Sequence, residues 1–306
     1  MTMKSGTVLT RLKLPTRDAY DLPSSQKRFT DGGQYRIEIP STEGPRAIDA
    51  VMQTASELGV PIHRISQGSG IMLQTDDEIR EMVAQGKQHG VEVCLFVGPR
   101  ASWDVGAQAA SSAGRVLGAS LRGTDQLAFG IEDVLHGAKL GINSILVGDL
   151  GHLMVLGRMK RDGDLPEDFV LKTSVTLAAA NPATARLLED LGATSINLPV
   201  DLSIPQIAAI RQAIDAPIDY YIESPDDFGG AVRHYEIPEI VRVAAPVYLK
   251  FGLRNHAPLY PAGKHLENLV ITLCRERVRR AAIGLGILQR YAPEAIASRT
   301  VVSIQS

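Results

Sequence analysis

Residues 144–174, SILVGDLGHLMVLGRMKRDGDLPEDFVLKTS, contain the pattern that decides the fold. Two short apolar runs, at 144–149 and 169–174, flank an amphipathic stretch. The β-branched content of the runs is typical of strands, whereas the spacing of apolar residues between them is typical of a helix. The segment therefore predicts a strand, a helix and a second strand.

The same unit recurs along the chain between residues 35 and 290. Strands that alternate with helices pair in parallel, through right-handed crossovers. Eight such units are typical of a (β/α)₈ barrel and less so of a doubly wound sheet. The sequence therefore predicts a single α/β TIM barrel over residues 34–292. The runs that predict its strands are 35–40, 62–67, 91–97, 144–149, 169–174, 195–199, 218–223 and 247–252.

Helix start and stop signals lie between these runs. Thr75 and Glu78 have the spacing of a capping box, and Asn181 precedes a proline at the first helical position. Glycines follow several amphipathic stretches, where they favour the end of a helix. These glycines are Gly59, Gly90, Gly141 and Gly192.

Three segments do not fit the repeating unit. Residues 1–33 are expected to form an N-terminal arm that either packs on the barrel or contacts another copy in a homo-oligomer, and residues 293–306 a C-terminal tail. Residues 100–124 lengthen the connection after the third strand with small residues. Because this connection starts at the carboxyl end of a strand, we expect either a lid over the active-site face or an extra helix on the rim.

Composition excludes several classes of protein. Hydrophobic residues make up 44% of the 306 residues and the net charge is −2, so the chain can bury a core and has no overall basic field for nucleic acid. Two cysteines, Cys94 and Cys274, are too few for a disulfide framework or a four-thiolate metal site, which favours the cytoplasm. We find no signal-peptide core and no apolar stretch of bilayer length, so no membrane association is expected.

Charged residues interrupt the predicted strands at positions that face the barrel interior. Glu38, for example, alternates with the apolar Ile37 and Ile39. A charge inside a barrel needs a partner, a metal ion or a ligand, and the carboxyl ends of barrel strands are where active sites lie. The residues expected to act in acid/base or electrostatic catalysis are Glu38, Asp149, Lys172, Glu223 and Lys250.

Cations and amides near the strand ends predict substrate binding. Arg100 follows the third run, Asn197 lies in the sixth, and Arg254 and His256 follow the eighth. Positive side chains at a barrel mouth favour a small anionic or peptide-like substrate. His256 is also placed for proton transfer.

Several alternatives stay open at this point. Each of Lys172 and Lys250 could act as a general acid, orient an anion or form a Schiff base, and nothing in the local sequence separates them. The three carboxylates could divide acid and base roles or hold a divalent metal ion. The charges could instead pair into a closed network, and the chain would then be a non-catalytic scaffold or binding barrel.

The middle of the chain resembles the collagenase-like peptidase family U32. The likeness lies in residues 172–181 (KTSVTLAAAN), 183–193 (ATARLLEDLGA) and 196–207 (INLPVDLSIPQI). Family members commonly have an acidic residue directly before Leu-Ser, which Asp201 matches, and an arginine before it, where this chain has Val200.

The resemblance implies a barrel enzyme of hydrolase type, with a lyase as the neighbouring possibility, and it adds Asp201 to the candidate substrate contacts. Many family members carry cysteines after the seventh strand, in several cases as iron–sulfur ligands. Residues 223–230 contain none, so no iron–sulfur cluster is expected. Since relatives act on RNA with cluster-bearing partners, the resemblance also raises a role in RNA modification.

Overall fold

The computed structural model describes residues 4–16, 18, 22–104 and 106–299. Eight strands form one parallel sheet in the order β5-β4-β3-β2-β1-β8-β7-β6. A bridge between Lys172 and Ser195 joins β5 to the start of β6, so the sheet closes into a barrel and the prediction is confirmed. The strands are β1 (Tyr35–Pro40), β2 (Arg64–Gln67), β3 (Glu92–Phe96), β4 (Ser144–Val147), β5 (Val170–Thr173), β6 (Ile196–Asn197), β7 (Ile218–Glu223) and β8 (Val247–Phe251).

Helices follow the strands around the outside of the barrel. A short helix, α1, precedes the first strand, and the small α4 lies in the long connection after β3. The helices are α1 (Lys4–Arg11), α2 (Pro45–Leu58), α3 (Asp76–His89), α4 (Ala107–Ala110), α5 (Gly123–Lys139), α6 (Leu150–Asp162), α7 (Pro182–Asp190), α8 (Ile204–Ala213), α9 (Ile237–Ala244) and α10 (Glu267–Tyr291). No helix in the described ranges is long and apolar enough to cross a bilayer.

Side-chain alternation on the strands separates an apolar layer from a polar one. Ile37 and Ile39 are fully buried in the core between the sheet and the helices, whereas Glu38 between them is fully buried among polar groups. Lys172, next to the core residue Leu171, is likewise fully buried among polar groups. The predicted inward direction of the charges on these two strands is therefore confirmed.

The predicted helix signals act as expected. Thr75 and Glu78 form a reciprocal capping box at the start of α3, and Asn181 caps α7 by accepting from the backbone N–H of Thr184 at 3.0 Å. Gly59 and Gly90 end α2 and α3 in the left-handed region, where glycine has no Cβ penalty. These local signals mark the starts of α3 and α7 and the ends of α2 and α3.

The described part of the N-terminal arm covers the end of the barrel where the strands begin. Phe29 is buried against Tyr248 with ring centroids 5.4 Å apart, and the Arg36 guanidinium lies 4.0 Å from the centre of the Phe29 ring. The C-terminal tail reaches the same end, because Ser298 donates its backbone N–H to the carbonyl of Tyr35 at 2.9 Å. This end of the barrel is therefore closed, and the opposite end is left for ligands.

A close approach of α6 and α7 gives a test of the packing. A Cβ on Gly157 would lie 2.0 Å from the carbonyl oxygen of Leu191. We expect Gly157→Ala to lower the free energy of unfolding by about 1–3 kcal/mol, because the two helices must move apart. Gly286→Ala is the matched control: a Cβ there meets nothing within 4 Å, and we expect a gain of up to about 1 kcal/mol. Urea denaturation of both variants measures the difference, and equal effects would contradict the packing described.

Candidate active site

Four charged side chains form a closed network inside the barrel, and this network is called here the charge layer: Glu38, Arg64, Lys172 and Asp219. Arg64 donates to Asp219 at 2.6 Å and to Glu38 at 3.3 Å. Lys172 pairs closely with Glu38 and lies 3.6 Å from Asp219. Each of the four is 1% exposed or less, so their charges are satisfied by one another and not by water.

Glu38 is the centre of the charge layer. It also accepts a hydrogen bond from the Ser66 hydroxyl at 2.7 Å. Burial raises the pKa of Glu38, but the positive charges of Lys172, Lys250 and Arg64 outweigh burial and hold this pKa well below its ordinary value. Glu38 is therefore ionised at neutral pH and does not serve as a proton donor there.

Arg64 connects the charge layer to Glu92 and Tyr248, which lie near the start of β3 and β8. It donates from Nε to Glu92 at 2.7 Å, and its guanidinium lies 3.6 Å from the centre of the Tyr248 ring. Burial lowers the pKa of Arg64, and the surrounding carboxylates raise it well above its ordinary value. Our sequence reasoning did not single out Arg64, although its position next to the core residue Ile65 was the available signal.

A cavity of about 370 Å³ lies above the charge layer, at the carboxyl ends of the strands. The long connection after β3 covers it, which agrees with the expectation that this segment lies over the active-site face. Tyr260, from the connection after β8, also lines the cavity. The polar and aromatic side chains that line the cavity are Ser41, Ser66, Gln67, Phe96, Arg100, Ser102, Trp103, Arg115, Ser174, Thr176, Asn197, Tyr221, Asp227, Phe228, Lys250 and Tyr260.

The depth of the two candidate lysines differs. Lys250 lines the cavity, with Nζ 3.7 Å from Glu38 and 4.1 Å from the centre of the Tyr221 ring. Lys172 is fully buried in the charge layer and is not among the residues that line the cavity. The structure therefore separates two residues that the sequence could not, and Lys250 is the one within reach of a ligand.

Arg100 and Asn197 also line the cavity, as their predicted binding roles require. Arg100 is 8% exposed, and burial lowers its pKa to about 10, so it stays protonated at neutral pH. Asn197 is the last residue of β6, and its backbone N–H donates to the Thr173 hydroxyl at 3.1 Å.

Two predicted catalytic carboxylates lie apart from both the cavity and the charge layer. A register shift in the pairing of β7 with β8, between Tyr221 and Glu223, places Glu223 beside His234 at 3.4 Å and Arg280 at 3.8 Å. Asp149 caps α6 by accepting from the backbone N–H of His152 at 2.8 Å. Glu38, Asp149 and Glu223 therefore do not converge on one place, in contrast to the prediction.

Three predicted binding residues are also placed elsewhere. Asp201 is exposed in the connection before α8. Arg254 pairs with Asp226 at 2.9 Å on the surface. The His256 Nδ1 atom lies 2.7 Å from the carbonyl oxygen of Ala257. None of the three lines the cavity.

The carboxylates proposed to hold a divalent metal are not gathered in one place. Glu38 is surrounded by cations, whereas Asp149 and Glu223 have other partners. In the ranges that the structure describes, no three His, Cys, Asp or Glu side chains form a group suited to a metal ion. Glu38, Asp149 and Glu223 therefore do not fit a single metal site.

Comparison with known proteins relates the centre of the chain to a family. The model of peptidase family U32 matches residues 121–224. No curated protein matches the chain. Among solved structures, the U32 peptidase Mk0906 is 16% identical with a TM-score of 0.43, and the match covers 76% of this chain and 98% of that one.

Other solved structures are similar at the same level. A putative copper homeostasis protein, CutC, from Streptococcus agalactiae is 13% identical, with a TM-score of 0.44 and coverage of 70% of this chain and 98% of that one. A D-psicose 3-epimerase is 13% identical, with a TM-score of 0.47 and coverage of 83% and 98%. The match of residues 121–224 to the family model confirms that this chain is similar to peptidase family U32.

Proposed function

We propose that the chain is a barrel enzyme, of hydrolase or lyase type, that acts on a small organic anion in the cavity above the charge layer. Lys250 is the residue that touches the reacting part of the substrate. The observation that carries the proposal is the positive lining of the cavity: its charged side chains are Arg100, Arg115 and Lys250 against Asp227 alone. A narrow cleft lined by one sign of charge concentrates ligands of the opposite sign.

The charge layer leaves this positive charge available to a ligand. Glu38 is already paired with Lys172 and Arg64, and it lies 3.7 Å from Lys250. Lys250 is therefore held in position by Glu38 without being neutralised by a carboxylate of its own. An anionic group in the cavity would give Lys250 a partner that it does not share with Lys172 and Arg64.

Lys250 supplies chemistry that both reaction types need. An ammonium group fixed in a low-dielectric site stabilises negative charge that develops on a substrate oxygen. Such charge develops on a carbonyl oxygen during hydrolysis and during cleavage of a bond next to a carbonyl group. Hydroxyl groups of Ser66 and Ser174 line the same cavity and can orient the substrate.

The scaffold hypothesis has less support. It requires the charged groups to pair with one another throughout the barrel mouth. Such pairing is found in the charge layer only. Above that layer the mouth holds a cavity with cationic side chains on its wall. The cavity therefore favours a barrel that binds a ligand over a closed scaffold.

Capture of small molecules from a bacterial extract tests the proposal. Immobilised full-length protein would be incubated with the extract, washed and denatured, and the released compounds identified by mass spectrometry. We expect organic anions on the wild type and their loss on Lys250→Met. Lys264→Met is the matched control, because Lys264 is an exposed lysine that pairs with Glu78 and Glu267 outside the cavity.

Capture of the same anions by wild type and Lys250→Met would contradict the proposal, as would capture of neutral compounds only. A compound that passes this test would then be incubated with the wild type and its products followed by mass spectrometry. Conversion by wild type and none by Lys250→Met is the expected result. No conversion of any captured anion would favour the binding barrel over the enzyme.

A further inference from the structure

The guanidinium of Arg100 is fixed between two aromatic rings. Its central carbon lies 3.7 Å from the centre of the Phe96 ring and 3.8 Å from the centre of the Trp103 ring. Stacking of this kind uses the faces of the guanidinium and leaves its edges for hydrogen bonds. Arg100 is thus a planar donor group whose orientation is set before any ligand binds.

Two nitrogens of the Arg100 guanidinium group have no acceptor in the structure. Neither Nε nor Nη2 has a hydrogen-bond partner, although the residue is only 8% exposed. A buried charge without a partner costs several kcal/mol, so proteins keep one mainly where a ligand completes the pair. The planar edge of a guanidinium matches the two oxygens of a carboxylate.

Asn197 carries a second unpartnered group among the residues that line the cavity. Its side chain is 2% exposed and lines the cavity, and its Oδ1 atom accepts no hydrogen bond. A buried amide oxygen without a donor costs about 1–3 kcal/mol. A ligand with an N–H or O–H group would remove this cost.

We propose that the ligand of the cavity is a carboxylate that also carries an N–H or O–H donor, with the carboxylate bound by Arg100 and the donor bonded to Asn197. This inference rests on the proposed function and specifies its substrate class. The apolar part of the ligand would lie against the aromatic side chains of the wall, Trp103 and Phe228 among them.

Three matched compounds test the inference by isothermal titration calorimetry on the full chain. N-acetyl-L-phenylalanine has the carboxylate, the N–H and a ring. N-acetyl-L-phenylalaninamide lacks the carboxylate, and we expect it to bind about 10- to 100-fold more weakly, the range for a hydrogen bond to a charged group. 3-Phenylpropionate keeps the carboxylate and lacks the N–H, and we expect a loss of about 2- to 10-fold.

Two variants assign each preference to its residue. Arg100→Met should remove the preference for the acid over its amide and keep the preference for the N–H. Asn197→Leu should make N-acetyl-L-phenylalanine and 3-phenylpropionate bind equally and keep the preference for the acid. Arg158→Met is the control, because Arg158 is an exposed arginine of α6 that pairs with Asp162 outside the cavity, and its loss should leave all three affinities unchanged.

Either of two results overturns the inference. One is a wild type that does not bind N-acetyl-L-phenylalanine more tightly than its amide, and the other is an Arg100→Met variant that keeps the acid preference. Both leave the proposed function standing if Lys250-dependent capture of other anions is found. Loss of that capture, in contrast, removes the proposed function itself. Cooperative thermal unfolding of each variant confirms that a lost preference is not a lost fold.

Discussion

Replacing Arg64 by methionine is expected to lower the free energy of unfolding by about 3–5 kcal/mol, because it leaves buried carboxylates without their cation. The residue is 1% exposed and bonds to Glu38, Glu92 and Asp219. The methionine side chain has about the same volume as the aliphatic part of the arginine side chain. The expected loss of stability therefore comes from the missing charge more than from a cavity. Urea denaturation at neutral pH measures it.

Arg100→Met is the matched control for this prediction. Arg100 is 8% exposed, similar in burial to Arg64, but its Nε and Nη2 atoms have no partner. Removing this unpaired buried charge relieves a desolvation cost but also removes its stacking on Phe96 and Trp103, so we expect stability within about 1 kcal/mol of the wild type. If the two variants lost the same stability, the distinction between the paired charge layer and the unpaired cavity wall would be wrong.

The second large effect concerns the two lysines. Lys172→Met should lower the free energy of unfolding by about 3–5 kcal/mol, because it breaks a fully buried pair with Glu38. Lys250→Met should cost less than about 1.5 kcal/mol, since Glu38 keeps Lys172 and Arg64 as partners and the side-chain volume is similar. Thermal and urea unfolding of both variants check the difference.

Ligand capture by the same variants completes this test. Lys250→Met should fold normally and lose captured anions. The opposite result would reverse the assignment of the two lysines. In that case a stable Lys172→Met protein would capture no anions, whereas Lys250→Met would capture the same anions as the wild type.

The sequence predicted the barrel well because each unit carries its own signal. Apolar runs, the capping box at Thr75 and the glycines after α2 and α3 each act locally, and the structure places strands and helix ends at these residues. The inward direction of Glu38 and Lys172 could also be predicted, because alternation on a strand fixes the face of every second residue.

The candidate site was predicted less completely, for reasons that lie outside local sequence. The register shift after Tyr221 places Glu223 beside His234, and nothing in residues 218–223 signals it. Asp149 lies at the end of an apolar run and directly before α6, so the sequence allowed either a catalytic role or a helix cap. The structure shows the helix cap.

The sequence also could not show how deep each side chain lies along the barrel axis. Lys172 and Lys250 have the same local pattern, and only the stagger of the strands shows that one lies in the charge layer and the other on the cavity wall. The partners of Arg64 come from β1, β3 and β7, so its central position depends on closure of the sheet. The aromatic clamp around Arg100 was missed because it depends on the folded connection after β3.

Bromide provides the most direct measurement of the central claim, which is that the cavity above the charge layer is a site for anions. A crystal of the full chain would be soaked in sodium bromide, and an anomalous difference map measured at the bromine absorption edge. We predict a bromide ion inside the cavity, in contact with Lys250 or Arg100. Bromide ions confined to the outer surface, with none in the cavity, would contradict the account.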